Sequence, residues 1–279
     1  MVTQTFTATK PQTVSTLVKA NVLGAGFVFI RNLLKNKDVK VNGVRVNRDV
    51  LLQAGDTVQI FYPNQALKTW QPYHLVWEDD NIVVVFKQRG IETSSPDSQN
   101  TLANLLGYIA VHRLDVNTEG LVVLAKNQAA ADALTAAFAN GQIQKTYLAL
   151  CFGGLQKSPV TLTGYLLKDK TTGTVAISKE KQPGALPVKT VVEFVKPKGD
   201  YSLLKINPLT GRTHQIRAHL ASIGLYIVGD GKYGNAHLNR IYHEDKQCLC
   251  ATQIKFAFTP DSLLYYLHGR EFTANPTFI

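Results

Sequence analysis

Two short apolar runs constrain the fold more than any other feature of the chain. Asn81-Ile82-Val83-Val84-Val85-Phe86 and Leu121-Val122-Val123-Leu124-Ala125 are continuous, rich in β-branched residues and bounded by polar ones. Such runs read as buried strands. Thr146-Tyr147-Leu148-Ala149-Leu150 reads as a third. Asn127 offers an N-cap to a helix over Gln128–Asn140, which stops at Gly141. A second helix is expected from Thr213, its cap, to Ile223, with Gly224 as the stop. The helices do not alternate regularly with the strands, so a clean βαβ succession is excluded. The expected class is α+β, with a large mixed, mostly antiparallel sheet flanked by helices.

The first 63 residues have a different character. They hold eight of the chain's 30 basic side chains against three acids. Phe27, Ile30, Leu33 and Leu34 share one helical face. Val39 and Val41 then alternate with Lys40 and Asn42, and Asn42-Gly43 signals a tight turn before Val44 and Val46. Gly55-Asp56 marks a second turn, before Val58-Gln59-Ile60-Phe61. A small α+β module over 1–63 follows, with Arg31, Lys35, Lys37, Lys40 and Arg45 close together as a candidate RNA-binding face. Residues 64–74, within the proline-bearing stretch PNQALKTWQPYH, read as a linker, and 75–279 as the second domain.

The formal charge of +10 favours a polyanionic partner. No apolar run reaches the ~18 residues of a membrane span, and the N-terminus lacks the apolar block of a secretory signal. Cys151, Cys248 and Cys250 contain no C-x-x-C pair, so neither a disulfide framework nor a cysteine zinc site is expected, and the cytoplasm is the default compartment. Cys248 and Cys250 read as core residues on a strand.

Two polar segments stand out as chemistry. His112-Arg113-Leu114-Asp115-Val116-Asn117-Thr118-Glu119-Gly120 directly precedes a buried strand. Its D-x-N spacing suggests a calcium loop, but the required twelfth-position Glu is Lys126. Thr210-Gly211-Arg212-Thr213-His214-Gln215-Ile216-Arg217 opens the second helix, where Arg217 can aim a guanidinium at a carboxylate or phosphate and His214 shares its face. His243-Glu244 lacks the second His of a zinc protease helix. Gly229-Asp230-Gly231-Lys232-Tyr233-Gly234 spells G-x-G-x-x-G outside any βαβ unit, so it reads as a glycine-rich turn rather than a dinucleotide site. No metal site and no cofactor are expected.

Together these segments resemble the RluA family of RNA pseudouridine synthases. His112-Arg113-Leu114-Asp115-x-x-Thr118-x-Gly120-Leu121 resembles the family's first signature, Lys145-Thr146-Tyr147-Leu148-Ala149 its second, and Thr210 through His219 followed by Gly229-Asp230-x-x-Tyr233-Gly234 its third. Likewise VKVNGVRVNRDVLLQAGDTVQI resembles the RNA-binding domain named after ribosomal small-subunit protein four, here the S-four type. The resemblance implies isomerisation of uridine in RNA, with ribosomal RNA favoured over transfer RNA. It implies Asp115 as the catalytic carboxylate, acting on the sugar as nucleophile or as base. Tyr147 would stack on the base and serve as a candidate for proton transfer, and Arg217 would pair with the Asp. His112, Arg113, Thr118, Arg212, His214 and Gln215 become candidate substrate contacts. A monomer is the default. The sequence departs from the family at Glu119, where Ser is usual, at Gln88, where Pro is usual, and at Cys250, where His is usual. Glu119 is expected to bring a second negative charge near Asp115. Two competing readings are an RNA-binding factor that has lost catalysis, and a nucleoside or glycoside hydrolase, which usually needs a second carboxylate.

Overall fold

The computed structural model describes residues 1–22, 25, 27–63, 71–96, 98, 100–155, 157–169 and 171–279. They form two units, Met1–Tyr73 with Gly90–Gly107, and His74–Arg89 with Tyr108–Ile279.

The first unit contains β1 (Val2–Thr7), β2 (Gln12–Thr13), α1 (Val14–Asn21), α2 (Phe27–Lys35), β3 (Val39–Val41), β4 (Val44–Val46), β5 (Leu51–Leu52), β6 (Thr57–Tyr62) and α3 (Leu102–Leu106). The sheet order is β1-β6-β3-β4, all antiparallel. Asn42 and Gly43 both take positive φ, 48° and 82°, the turn that matches strand twist in a two-residue hairpin. Asn42 is held there by its own amide group, which donates to Asp56 and accepts from the Thr57 N–H, each at 2.8 Å. Ile30, Leu33 and Leu34 of α2 pack on Val39, Val58 and Ile60; the side chain of Phe27, the fourth member of the expected face, lies outside the described residues. β1 carried no expectation, because its inward positions are Val2, Gln4 and Phe6, with a polar residue between two apolar ones, a weak alternation.

The domain boundary also differs from the sequence reading. Residues 64–70 of the expected linker lie outside the described residues, while Tyr73 and His74, at its end, already belong to a strand. Gly90–Gly107, placed by sequence in the second domain, groups with the first. Ser98 and Asn100 both donate side-chain hydrogen bonds to the Ala20 carbonyl, at 3.3 and 2.7 Å. Such long-range pairing leaves no local pattern.

The second unit contains β7 (Tyr73–Glu78), β8 (Ile82–Lys87), β9 (Ile109–Ala110), β10 (Glu119–Ala125), α4 (Gln128–Ala139), β11 (Ile143–Phe152), β12 (Val160–Lys168), β13 (Val175–Ser178), β14 (Leu186–Lys198), β15 (Tyr201–Pro208), α5 (Gln215–Ala221), β16 (Tyr226–Ile227), α6 (Ala236–Ile241), β17 (Leu249–Phe256) and β18 (Glu271–Thr273). Their 12-stranded sheet runs β13-β12-β14-β15-β11-β17-β10-β8-β7, with β16, β18 and β9 on side branches. From β13 through to β8 the pairings are antiparallel except β10 with β17.

β8 and β10 are buried on both faces, which explains their uninterrupted apolar runs. Ile82, Val84, Leu121 and Val123 face Ala130, Leu134 and Ala137 of α4; a fully buried leucine such as Leu134 stabilises the fold by about 2 kcal/mol. Asn127 caps α4 through its side-chain oxygen, which accepts the Ala130 N–H at 2.9 Å. At the start of β10, Gly120 has φ +118°, and a Cβ there would sit 2.3 Å from the Ala251 carbonyl oxygen. Only glycine permits this close parallel approach.

The start of the second helix differs from expectation. Thr213 does not cap it. α5 begins at Gln215, its N-cap is His214 at φ +56°, and no side chain caps it. Gln215 takes over the local wiring: its Oε1 accepts from Thr210 Oγ1 and the Arg212 N–H, and its Nε2 donates to Lys189 O and Thr190 Oγ1.

Candidate active site

The site lies within the second unit, where three neighbouring strands and one helix converge. β10 follows the loop that carries Asp115, and β11 carries Tyr147. β17 lies between those two strands, and α5 carries Arg217. The β11–β17 register shifts between Thr146 and Tyr147, and such an irregularity re-aims a side chain.

Asp115 is the accessible member of a carboxylate–guanidinium chain. Its Oδ2 accepts from Arg217 Nη1 at 2.8 Å, and its side chain keeps 18% exposure. The rest of the Arg217 fork is bidentate on Asp230: Nε to Oδ2 at 2.7 Å and Nη2 to Oδ1 at 2.8 Å. Asp230 is only 1% exposed, and its Oδ1 also accepts the backbone N–H groups of Lys232 and Tyr233. Burial alone would raise the Asp230 pKa, but Arg217 and the two N–H groups hold it below the ordinary carboxylate value. Burial likewise opposes charge on Arg217, and Asp230, then Asp115, more than reverse it. Arg217 is therefore a rigid bridge with one fork spent on a structural carboxylate and one tip presented to Asp115.

Asp230 is the site residue that sequence reading missed. It sits inside the G-x-G-x-x-G run, whose glycines serve packing: a Cβ on Gly229, at φ +71°, would lie 2.0 Å from the Lys246 carbonyl oxygen. The signal available was the buried-type pairing demand of Arg217 itself.

Tyr147 is buried, and its hydroxyl has no hydrogen-bond partner among the described residues. Burial first, then the negative charge of Asp115 and the Cys250 thiol, push its pKa well above the ordinary phenol value. The hydroxyl is thus neutral at physiological pH. It can donate a proton or face a base, but it is no phenolate.

Under the Asp115 loop lies Lys87, fully buried at the end of β8. Its Nζ donates to the carbonyls of Gln88, at 2.9 Å, and Val116, at 3.2 Å, bracing the loop from below. Burial lowers its pKa to about 7, against the pull of Asp115 and Glu119. Glu119 is fully buried too. It accepts from the Thr277 N–H at 2.7 Å and from Thr277 Oγ1, and Arg89 Nη1 lies 3.3 Å away. Glu119 is therefore matched by Arg89 and Lys87 and gripped by the C-terminal segment, so it does not stand as a free second acid beside Asp115. Glu119→Gln keeps the shape but leaves Arg89 without its carboxylate partner. Its expected cost is about 1–3 kcal/mol of stability, read as a lowered urea midpoint; an unchanged midpoint would show that the charge matters little.

The remaining expected site residues separate into groups. His214 joins the centre, with Nε2 3.9 Å from Asp115 Oδ2. Arg113 and Arg212 have exposed side chains. Thr118 is buried and accepts from Gln247 Nε2 at 2.8 Å, and Gln215 has all its amide capacity spent on the loop before α5. His112 accepts the Val123 N–H on Nε2 at 3.0 Å and packs on Phe138; burial, then the Lys145 charge, lower its pKa to about 3. Gln215 and His112 thus engage backbone groups, and Thr118 engages the Gln247 side chain. In the first unit, Arg31 and Lys35 border a surface hollow with Leu34 and Asn47, while Lys40 and Arg45 lie over the Phe61 ring. Arg45 also donates to the Lys37 carbonyl.

In the second unit, then, a partly open loop carboxylate is held by one buried arginine on a large mixed sheet. Residues 81–222 match the family model described as RNA pseudouridylate synthase. The chain is 33% identical over 249 residues to an uncharacterized RNA pseudouridine synthase of Helicobacter pylori, covering 85% of this chain and 83% of that one. It is 35% identical to ribosomal large subunit pseudouridine synthase C of Rickettsia bellii, covering 75% and 78%, and 30% identical to the mitochondrial tRNA pseudouridine(32) synthase of Saccharomyces cerevisiae, covering 74% and 47%. Among solved structures, human RNA pseudouridylate synthase domain containing 1 superposes with a TM-score of 0.58 at 28% identity, over 73% of this chain and 89% of that one. The chain belongs to the RNA pseudouridylate synthase family, in its RluA-type branch, and is an isomerase.

Proposed function

We propose that the chain converts specific uridines of ribosomal RNA, or of transfer RNA, to pseudouridine, with Asp115 as the catalytic carboxylate. The observation that carries this reading is the Asp115–Arg217 pair: one oxygen is fixed at 2.8 Å by a buried guanidinium, and the carboxylate remains partly open. In the reaction the N1–C1′ bond breaks, the uracil turns, a C5–C1′ bond forms, and the C5 proton leaves while N1 gains one. Breaking the glycosidic bond builds positive charge on the sugar, which a fixed carboxylate stabilises. An ionised carboxylate is needed whether Asp115 attacks the sugar or removes a proton from it. Tyr147 lines the base side of the pocket, and stacking there offsets part of the few kcal/mol needed to unstack the target.

The first unit serves as an S-four-type RNA-binding domain, supported by its exposed basic residues and the Asn42-Gly43 hairpin. Arg113 and Arg212 are the exposed members of the two motifs suited to backbone phosphates. The working state is a monomer in the cytoplasm, in keeping with three free, buried cysteines. No helix among the described residues is long and apolar enough to cross a membrane.

The test is release of tritium from RNA labelled on C5 of uridine, run on unmodified ribosomal and transfer RNA. Release to water from one of the two identifies reaction and substrate class together. Retained label on both, with RNA bound, removes the catalytic reading and leaves the binding factor. Free uracil would instead mark a hydrolase.

A further inference from the structure

Tyr233 lies in the glycine-rich run that the reaction does not otherwise use, yet it touches both groups that hold Asp115. Its ring lies 5.0 Å from the Arg217 guanidinium, and its hydroxyl contacts His214 Nδ1 at 2.9 Å. The same hydroxyl oxygen accepts the N–H of Val175, at the start of β13, at 2.8 Å. With that acceptor role taken, the phenol hydrogen points to His214 Nδ1. If Nδ1 carried the ring proton instead, the phenol hydrogen would have no acceptor among the described residues. A neutral His214 that accepts on Nδ1 carries its proton on Nε2, and Nε2 is the atom facing Asp115 Oδ2 at 3.9 Å. Burial, the largest influence on this ring, favours the neutral form. Arg217 Nη1 occupies the same Oδ2 oxygen, whereas Oδ1 has no partner among the described residues.

We propose that His214 is a positioning residue for Asp115, its tautomer set by Tyr233 so that an N–H faces Oδ2 and Oδ1 is left as the oxygen that meets the ribose. The inference rests on the catalytic reading of Asp115. It assigns Tyr233, and the β12–β13 hairpin through Val175, to the upkeep of the site. The Arg217 hydrogen bond fixes Oδ2, the His214 N–H dipole 3.9 Å from the same oxygen polarises it further, and orientation of this kind is where a small misplacement costs rate.

Nitrogen-15 NMR of the full chain without RNA reads the tautomer directly. The expected spectrum shows a protonated Nε2 and an unprotonated Nδ1 for His214, and a tautomer mixture in Tyr233→Phe. In the tritium assay Tyr233→Phe lowers kcat about tenfold with KM for RNA unchanged. His214→Gln, which still offers an N–H, retains more kcat than His214→Leu, of similar size. A protonated Nδ1 in the wild type overturns the proposal, as does an unaltered tautomer and kcat in Tyr233→Phe or equal rates for the Gln and Leu variants. The spectrum needs no turnover, so its result stands apart from the Asp115 reading. That reading fails separately, if Asp115→Asn stays active.

Discussion

Asp115→Asn is expected to abolish pseudouridine formation, by at least about a thousandfold, while RNA binding persists. The substitution keeps the shape of the side chain and an oxygen for Arg217 Nη1. On the proposed reading it removes the negative charge that would stabilise the developing sugar cation, together with the Oδ1 oxygen that has no partner among the described residues. The fold should tolerate the change, because Arg217 remains bidentate on Asp230. No second carboxylate takes over: Glu119 is fully buried and held by Thr277 and Arg89. The check is tritium release alongside RNA affinity and the urea midpoint. A variant that turns over within tenfold of wild type would move the chemistry elsewhere. A variant that also loses RNA or unfolds would place Asp115 in the scaffold instead.

Much of this arrangement was legible in the chain. Apolar runs at Ile82–Phe86 and Leu121–Ala125 are strands because both faces are covered, and continuous burial needs no alternation. Asn127 announces α4 because its side chain can satisfy a free N–H. The first and third motifs put Asp115 and Arg217 forward, and the structure brings them to 2.8 Å. What escaped was pairing at a distance. Nothing local marks Asp230 as the counter-charge of Arg217, or Thr277 as the grip on Glu119, 158 positions away. Thr213 looked like a cap by residue type, but Gln215 had already engaged the loop, so the helix starts later with His214 in a left-handed conformation. Gln215, Thr118 and His112 entered as substrate contacts through the family resemblance; their hydrogen bonds to the loop before α5, to Gln247 and to the Val123 N–H are long-range or non-repeating and leave no local pattern.

The other large effect is expected at Arg217. Arg217→Gln should destabilise the second unit by about 3–5 kcal/mol, because it strands Asp230 as an unpaired charge in a nearly closed site. It should also lower isomerisation at least about a hundredfold, since Asp115 loses the donor that fixes Oδ2. The pH dependence follows from Asp230. Its folded pKa is depressed, so its stabilisation is fully present above the unfolded value of about 4 and is lost as pH falls through the lower folded value. In Arg217→Gln the depression disappears, and Asp230, now dominated by burial, titrates upward instead. The wild type should therefore hold its urea midpoint down to about pH 4, and the variant should gain stability on acidification from neutrality as Asp230 takes a proton. The double variant Arg217→Gln, Asp230→Asn separates the two roles. It removes the stranded charge, so it should recover part of the lost stability at neutral pH without recovering the rate. If the double variant is no more stable than the single one, the bidentate pair is not what Arg217 contributes to the fold. If it recovers the rate as well, Asp115 does not depend on the guanidinium.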